Sequence, residues 1–524
     1  MLKKLSILLL LLLAFSLVLI SCGPTETVDE EAESPEALSP KHGGTLSSAY
    51  YAPGNLDPAF LSTVIDEYIA RQFSDHLVFI DEDNLPDITR SVAEHWEGDE
   101  DAKIWTFKLR QGIMFHDGKE MTSLDVKFTY DRLRDPDIGA ATVGMYENII
   151  DITAPDDYTV IFELAESNTD FLMDLADYHA LIMDADNDDF ATNWNGTGPF
   201  MVERYEPEDR IILVRNPNYW MTDADGYPLP YLDSMEIIFL SDSTAQIEAL
   251  RGGQINYLFY LPTEFIPGLE ADPDIVVYQA PSNTTYVLRM RSDEGPASDV
   301  RVRQALKAGT DRSAILEGAV GGLGTTGRDT PIGPAYGDFY LDVPEPERDV
   351  EKAIELLEEA GYGDGLDITI TTQESSPIPA IATIWKEQMA DIGVNVDIQL
   401  VPSDIYYGAD DMWLEAPFGI TDWGARPYPQ PYLDLAYTCG APWNESHFCD
   451  PELDELAAAV AKEMDHDERV RLYHEIQELF IERGPIIIPF FINNLWAAHE
   501  NVKGLVPTSG LGTAMDLRAV YLED

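Results

Sequence analysis

Several short runs in this chain carry residue types that could do chemistry. Phe115-His116-Asp117-Gly118 sets an imidazole beside a carboxylate, as a metal site or an acid/base pair would. Gly322-Leu323-Gly324-Thr325-Thr326-Gly327 matches the glycine pattern that cradles a dinucleotide pyrophosphate. His474-Glu475 begins like a zinc-protease helix. Each weakens on inspection. The His-Asp pair falls where a hairpin turn is expected, so turn chemistry explains it better. The glycine run follows an apparent helix, Asp311 to Val320, whereas a dinucleotide fingerprint follows a strand and opens a helix. A plain glycine loop is expected. The second histidine of a zinc helix would fall at Glu478, and the nine histidines do not cluster at metal-ligand spacing. There is no G-x-S-x-G elbow and no P-loop. With 95 acidic residues, chance carboxylate pairs are inevitable. No catalytic residue, metal or cofactor is expected.

Charge and composition narrow the class. The chain has 524 residues, too many for one hydrophobic core, so at least two lobes are expected. Its 33 basic and 95 acidic residues give a formal charge of −62, which excludes the basic face that nucleic acid or an anionic membrane surface needs. A solvated acidic surface is the plain reading. With 45% apolar residues the chain has ample material for burial.

The N-terminus reads as an address. Lys3 and Lys4 precede an apolar stretch from Leu5 to Ile20, similar to a signal-peptide core over residues 1–21. Leu19-Ile20-Ser21-Cys22 resembles a bacterial lipobox, which implies a diacylated Cys22 and stable anchoring outside the cytoplasm, on the cell surface or in the periplasm. The membrane is then met through the lipid anchor only. Residues 22–42 form an acidic, proline-bearing tether with almost nothing to bury. With Cys22 lipidated, Cys439 and Cys449 remain as a pair in an oxidising compartment. A disulfide closing that short loop contributes roughly 2–3 kcal/mol. A metal site there lacks ligands beyond His447.

From Gly43 onward the chain reads as mixed α/β. Trp105, Phe107 and Leu109 alternate with polar residues, and Asp117-Gly118 suggests that this strand turns back in a hairpin. Strands also fit Thr159–Leu164, Ile211–Arg215 and Met235–Leu240. Asp242 and Asp349 are candidate helix N-caps. Leu366, Ile368 and Ile370 alternate, a helix follows through Ile381, Trp385 and Met389 to Gly393, and Val394 to Leu400 alternate again. That succession predicts parallel strands joined by a crossover helix. Helices are expected near 452–464 and 467–483, and a buried strand over Ile486–Ile492.

These segments carry a family resemblance. Ala93-Glu94-His95-Trp96, then Trp105-Thr106-Phe107-Lys108-Leu109-Arg110-Gln111-Gly112-Ile113 and Phe115-His116-Asp117-Gly118, resemble a signature of the family 5 extracellular solute-binding proteins. These serve ABC importers of dipeptides, oligopeptides and nickel. Gly196-Thr197-Gly198-Pro199-Phe200, Asn216-Pro217-Asn218-Tyr219-Trp220, Val300-Arg301-Val302-Arg303-Gln304-Ala305-Leu306 and Asp450-Pro451-Glu452-Leu453 follow in the family's order. The resemblance implies a bilobal α/β fold of the large type II periplasmic-binding-protein class. Lobe I would comprise 43–75, 198–295 and 498–524, with an inserted subdomain at 76–197, and lobe II would span 296–497. It further implies a monomeric receptor that is not an enzyme. Such a receptor closes on a peptide or similar small polar solute and docks on a membrane permease driven by ATPase subunits. Oligosaccharide and chelated nickel are alternatives within the binding class, and a surface-anchored hydrolase is the rival outside it.

In peptide-binding relatives a W-x-A-D-type run supplies an aspartate for the ligand's ammonium. Here the run is Trp423-Gly424-Ala425-Arg426, so Arg426 inverts the charge. A guanidinium suits a carboxylate or sugar hydroxyls instead. Asp422, next to the run, could restore an anionic contact. Trp423 and Trp443 are candidate stacking walls, with Asn444 beside them, against the alternative of core packing. Tyr50 and Tyr51 are candidates for the cleft or for strand packing. Tyr286 and Arg289 fall near the expected lobe crossing, as ligand clamp or hinge.

Overall fold

Along the strand Ile104–Leu109, Trp105, Phe107 and Leu109 are buried while Ile104 and Lys108 face solvent, because successive side chains point to opposite faces. A computed structural model describes residues 42–82, 84–408, 412–509 and 515–523. The leader 1–21, Cys22 and the tether as far as Lys41 lie outside the described residues. Among the described residues no helix is long and apolar enough to cross a membrane.

The strand Ile104–Leu109 belongs to an antiparallel sheet ordered Ala93–Gly98, Ile104–Leu109, Thr159–Leu164, Ile149–Asp156. The hairpin expected at Asp117-Gly118 is not built on this strand. Gly112, at φ +78°, turns the chain away after Leu109, and Asp117-Gly118 instead closes a single bridge between Met114 and Glu120. The Gly118 N–H donates to the Phe115 carbonyl at 2.9 Å.

Two larger sheets make the bilobal α/β fold of the type II class. The first is ordered Ile275–Ala280, Asn494–His499, Tyr257–Leu258, Thr45–Tyr50, Ser234–Phe239, Arg210–Arg215, Phe200–Glu206. The second is ordered Gly324–Thr326, Phe490–Ile492, Thr285–Met290, Phe418–Trp423, Leu366–Gln373, Val394–Val401, with Ile486–Ile487 also pairing on Thr285–Met290. Leu366–Gln373 and Val394–Val401 run parallel, joined by the helix Ile378–Ala390, as the alternation predicts. Ile381, Trp385 and Met389 bury one face of that helix. Asp242 and Asp349 cap their helices, accepting from Ala245 N–H at 2.8 Å and Lys352 N–H at 2.9 Å. Ile486–Ile492 forms two short strands rather than one. Gly324–Thr326 pairs with Phe490–Ile492, so the glycine run is a strand edge and opens no helix.

The chain crosses from the first large sheet to the second between Ala280 and Thr285, and returns between Ile492 and Asn494. These changes of sheet fall near the expected lobe boundaries at 295/296 and 497/498. Thr285–Met290 is an interior strand of the second sheet, and Asn494–His499 lies wholly in the first. Backbone pairing decides membership, since each buried N–H and C=O needs a partner. The two crossings hold one another. The Ser282 hydroxyl donates to the Ile492 carbonyl at 2.7 Å, and the Ile492 N–H to the Thr284 carbonyl at 2.9 Å.

Inside the second lobe, Arg312 and Asp329 form a buried ion pair at 2.5 Å, and Asp329 also accepts from the Ile488 N–H at 3.1 Å. Asp329→Ala strands the Arg312 guanidinium without its counter-charge. The expected cost is about 3–5 kcal/mol, read as a lower urea midpoint at unchanged m-value. A loss below about 1 kcal/mol would show that water reaches the arginine.

Candidate functional site

The strand Phe418–Trp423 alternates so that Thr421 and Trp423 point inward while Asp422 faces out. The inward pair meets Glu445. Its carboxylate accepts from the Thr421 hydroxyl at 2.5 Å and the Trp423 indole N–H at 3.1 Å, and lies 2.6 Å from Arg289 Nε. Burial pushes the Glu445 carboxyl up, opposed by Arg289, Thr421 and Trp423. Glu445 sits in a loop closed by the Cys439–Cys449 disulfide. Asn444 braces this loop from within. Its amide donates to the Phe448 carbonyl at 2.7 Å and the Thr438 carbonyl at 3.1 Å, and its oxygen accepts from the Phe448 N–H at 3.0 Å.

This scaffold presents a cavity of about 350 Å³ whose walls include Tyr407, Trp413, Asp422, Trp423, Arg426 and Trp443. The Trp443 ring stands edge-on to Trp413 at 6.5 Å and to Trp423 at 6.0 Å. The Arg426 guanidinium carbon lies 5.7 Å from the Trp423 ring centroid and 5.8 Å from that of Trp443. Asp422 accepts from the Tyr407 hydroxyl at 2.8 Å and from the Gln373 amide. Arg426 also lines a second cavity of about 410 Å³. That space is walled by Glu67, Arg71 and Tyr178 on one side and by Pro427 and Tyr428 on the other.

Of the expected ligand residues, Asp422, Trp423, Arg426 and Trp443 gather at one cavity. Others do not. Arg289 is buried and engaged by Glu445 and by the carbonyls of Ala416 and Trp413, so it is a brace rather than a ligand clamp. Asn444 is likewise spent on its own loop. Tyr50 packs against Tyr51 at 4.4 Å and Phe259 at 4.8 Å in the first lobe's core. Tyr50, Tyr51 and Tyr286 line neither cavity. Tyr286 pairs across the strands with Asp422, and its hydroxyl is pushed up to about 12 by burial and by that carboxylate. Sequence reasoning missed Tyr407, Trp413 and the organising role of Glu445. Trp413 lies in the one-turn helix Met412–Glu415, Tyr407 caps the one-turn helix Ser403–Tyr406, and Glu445 sits in a loop, all too short to show a periodicity that marks a wall.

Beside the second cavity, segments distant in sequence are tied together. The Tyr428 hydroxyl donates to Asp174 at 2.5 Å, Arg469 pairs with Asp170, and the Thr169 hydroxyl donates to the Ala461 carbonyl at 3.3 Å. Asp174 is fully buried against Tyr428 and Asn168, with Asp170 and Asp177 nearby. Its carboxyl is pushed up to about 7, chiefly by burial. A raised native value means that protonation favours the native form. The contribution is full below the ordinary carboxylate range and lost as pH climbs through about 7. Asp174→Asn is therefore expected to gain thermal stability on the wild type as pH rises from about 5 to 7, then level off. Calorimetric melting of both proteins across that range checks it; a constant difference would refute it.

The family description "Bacterial extracellular solute-binding proteins, family 5 Middle" matches residues 87–444. The glutathione-binding protein GsiB of Salmonella typhimurium is 26% identical over 474 residues, covering 87% of this chain and 90% of its own length. The periplasmic binding protein DppA from Helicobacter pylori, solved with the peptide STSA, superposes with a TM-score of 0.72 at 25% identity, covering 92% of this chain and 99% of that one. A nickel ABC transporter structure from Bacillus halodurans gives a TM-score of 0.77 at 27% identity, again covering 92% and 99%. With the signature run on a sheet of its own and two lobes meeting beside an aromatic cavity, the chain belongs to the family 5 bacterial extracellular solute-binding proteins, the receptor components of ABC importers.

Proposed function

We propose that this protein captures a peptide, or a similarly sized polar solute, in the cleft beside Arg426 and delivers it unaltered to an ABC permease. One observation carries the reading. A tryptophan-walled cavity of about 350 Å³ meets a second of about 410 Å³ at Arg426, and together they offer room for a ligand of several residues. The names of the relatives lean the same way, since one is named for glutathione and another was solved with a peptide. The indole walls also suit a sugar face, so an oligosaccharide is the second reading.

In this reading Asp422, Trp423, Arg426 and Trp443 touch the ligand. One lobe is assembled from about 43–75, 198–280 and 494–523, with a subdomain inserted near 76–197, and the other spans about 285–492. Ligand stabilises the closed arrangement by touching both sides at once. Residues 1–21 act as a leader and Cys22 carries the lipid, so a monomer works outside the cytoplasm on the end of an acidic tether. No catalytic role is assigned.

Calorimetry with peptide and oligosaccharide panels, followed by mass spectrometry of the released ligand, tests this. Saturable binding of a peptide recovered at its original mass is the expected result. Recovery of cleaved fragments would replace the receptor reading with a hydrolase.

A further inference from the structure

With 95 acidic residues against 33 basic ones, cations in this protein are scarce. Every other arginine has an ion-pair or hydrogen-bond partner among the described residues. Arg426 is the exception. Among the described residues its guanidinium has neither, and its Nε is buried without an acceptor. The residue is nonetheless held firmly at its root. Its N–H donates to the Tyr432 hydroxyl at 3.1 Å, and its carbonyl accepts from the Tyr336 hydroxyl at 2.7 Å. The two indoles lie against its guanidinium, and the residue as a whole is half-buried.

The surrounding carboxylates are already committed. Asp422 takes donors from Tyr407 and Gln373. Across the second cavity Glu67 pairs with Arg71 at 2.7 Å, and Asp177 with His179 at 2.7 Å. Asp174 is occupied by Tyr428 and Asn168. Among the described residues, the Arg426 guanidinium is thus the charged group on these walls that has no hydrogen-bond partner, whereas each carboxylate named here has donors. A partly desolvated guanidinium without acceptors is unfavourable, so the missing acceptor is assigned to the ligand.

We propose that the ligand is bound through a carboxylate that forks onto Arg426 between Trp423 and Trp443. The planar fork of guanidinium donors matches a carboxylate, and the fixed backbone lowers the ordering cost of the contact. The strongly acidic surface disfavours polyanions, so the ligand class is a peptide or amino-acid derivative whose carboxylate is offset by its own ammonium. This rests on the receptor reading above.

The test uses mixed di- to tetrapeptide libraries in two forms, with a free C-terminal carboxylate or a C-terminal amide, titrated calorimetrically into the full-length protein. The free-acid library is expected to bind about tenfold tighter or more. The gap should shrink to about twofold or less in Arg426→Gln. Arg426→Lys, which keeps charge but loses the fork, should fall between them, and its melting temperature controls for folding. Equal binding of both libraries by the wild type, or an unchanged gap in Arg426→Gln, overturns the carboxylate assignment and leaves the receptor intact. Failure of both libraries, with a neutral oligosaccharide panel binding instead, overturns the peptide reading and this inference together.

Discussion

A carboxylate taken out of water costs several kcal/mol unless charges and donors replace its hydration. Glu445 is such a group, and its three partners lie on two different strands of the second sheet. Arg289 comes from Thr285–Met290, Thr421 and Trp423 from Phe418–Trp423. Satisfying one carboxylate therefore fixes the register of two strands and the loop that carries it. It also bonds the Trp423 indole N–H, whose ring forms a cavity wall. The disulfide between Cys439 and Cys449 closes the same loop from outside. Rigidity here is built behind the binding face and not on it.

That division separates residues that look alike in sequence. Arg289 and Arg426 are both arginines beside aromatic residues in the second lobe. Arg289 is consumed by Glu445 and two carbonyls, whereas Arg426 is held by its backbone and, among the described residues, its guanidinium has no acceptor. The first supports the wall, and the second faces the cavities. Asn444 and Trp443 divide in the same way, one bonding its own loop while the other stands 39% exposed at the rim.

Closure needs a different kind of contact. The two lobes share covalent connections at 281–284 and at 493, and these crossings are hydrogen-bonded to each other. Away from them the segments meet through Asp170–Arg469 and Asp174–Tyr428. Thr169 and Asn84 add hydrogen bonds to the Ala461 and Ala335 carbonyls, and Leu323 packs against the first lobe's cluster.

Periodicity made the crossover unit of 366–401 legible, because alternation of two and helical spacing are local properties of the chain. The caps at Asp242 and Asp349 were legible for the same reason, as was the family, whose signature is a linear run. The hairpin at Asp117-Gly118 was misjudged because a turn residue does not say which strands it joins. Where the chain changes sheets was not legible, because pairing partners lie hundreds of positions apart. Sequence by itself determined most of the elements, the class of molecule and that an arginine stands at 426. Only the tertiary structure decided which arginine is spent and which is free, since hydrogen bonds are claimed by neighbours in space and not by neighbours along the chain.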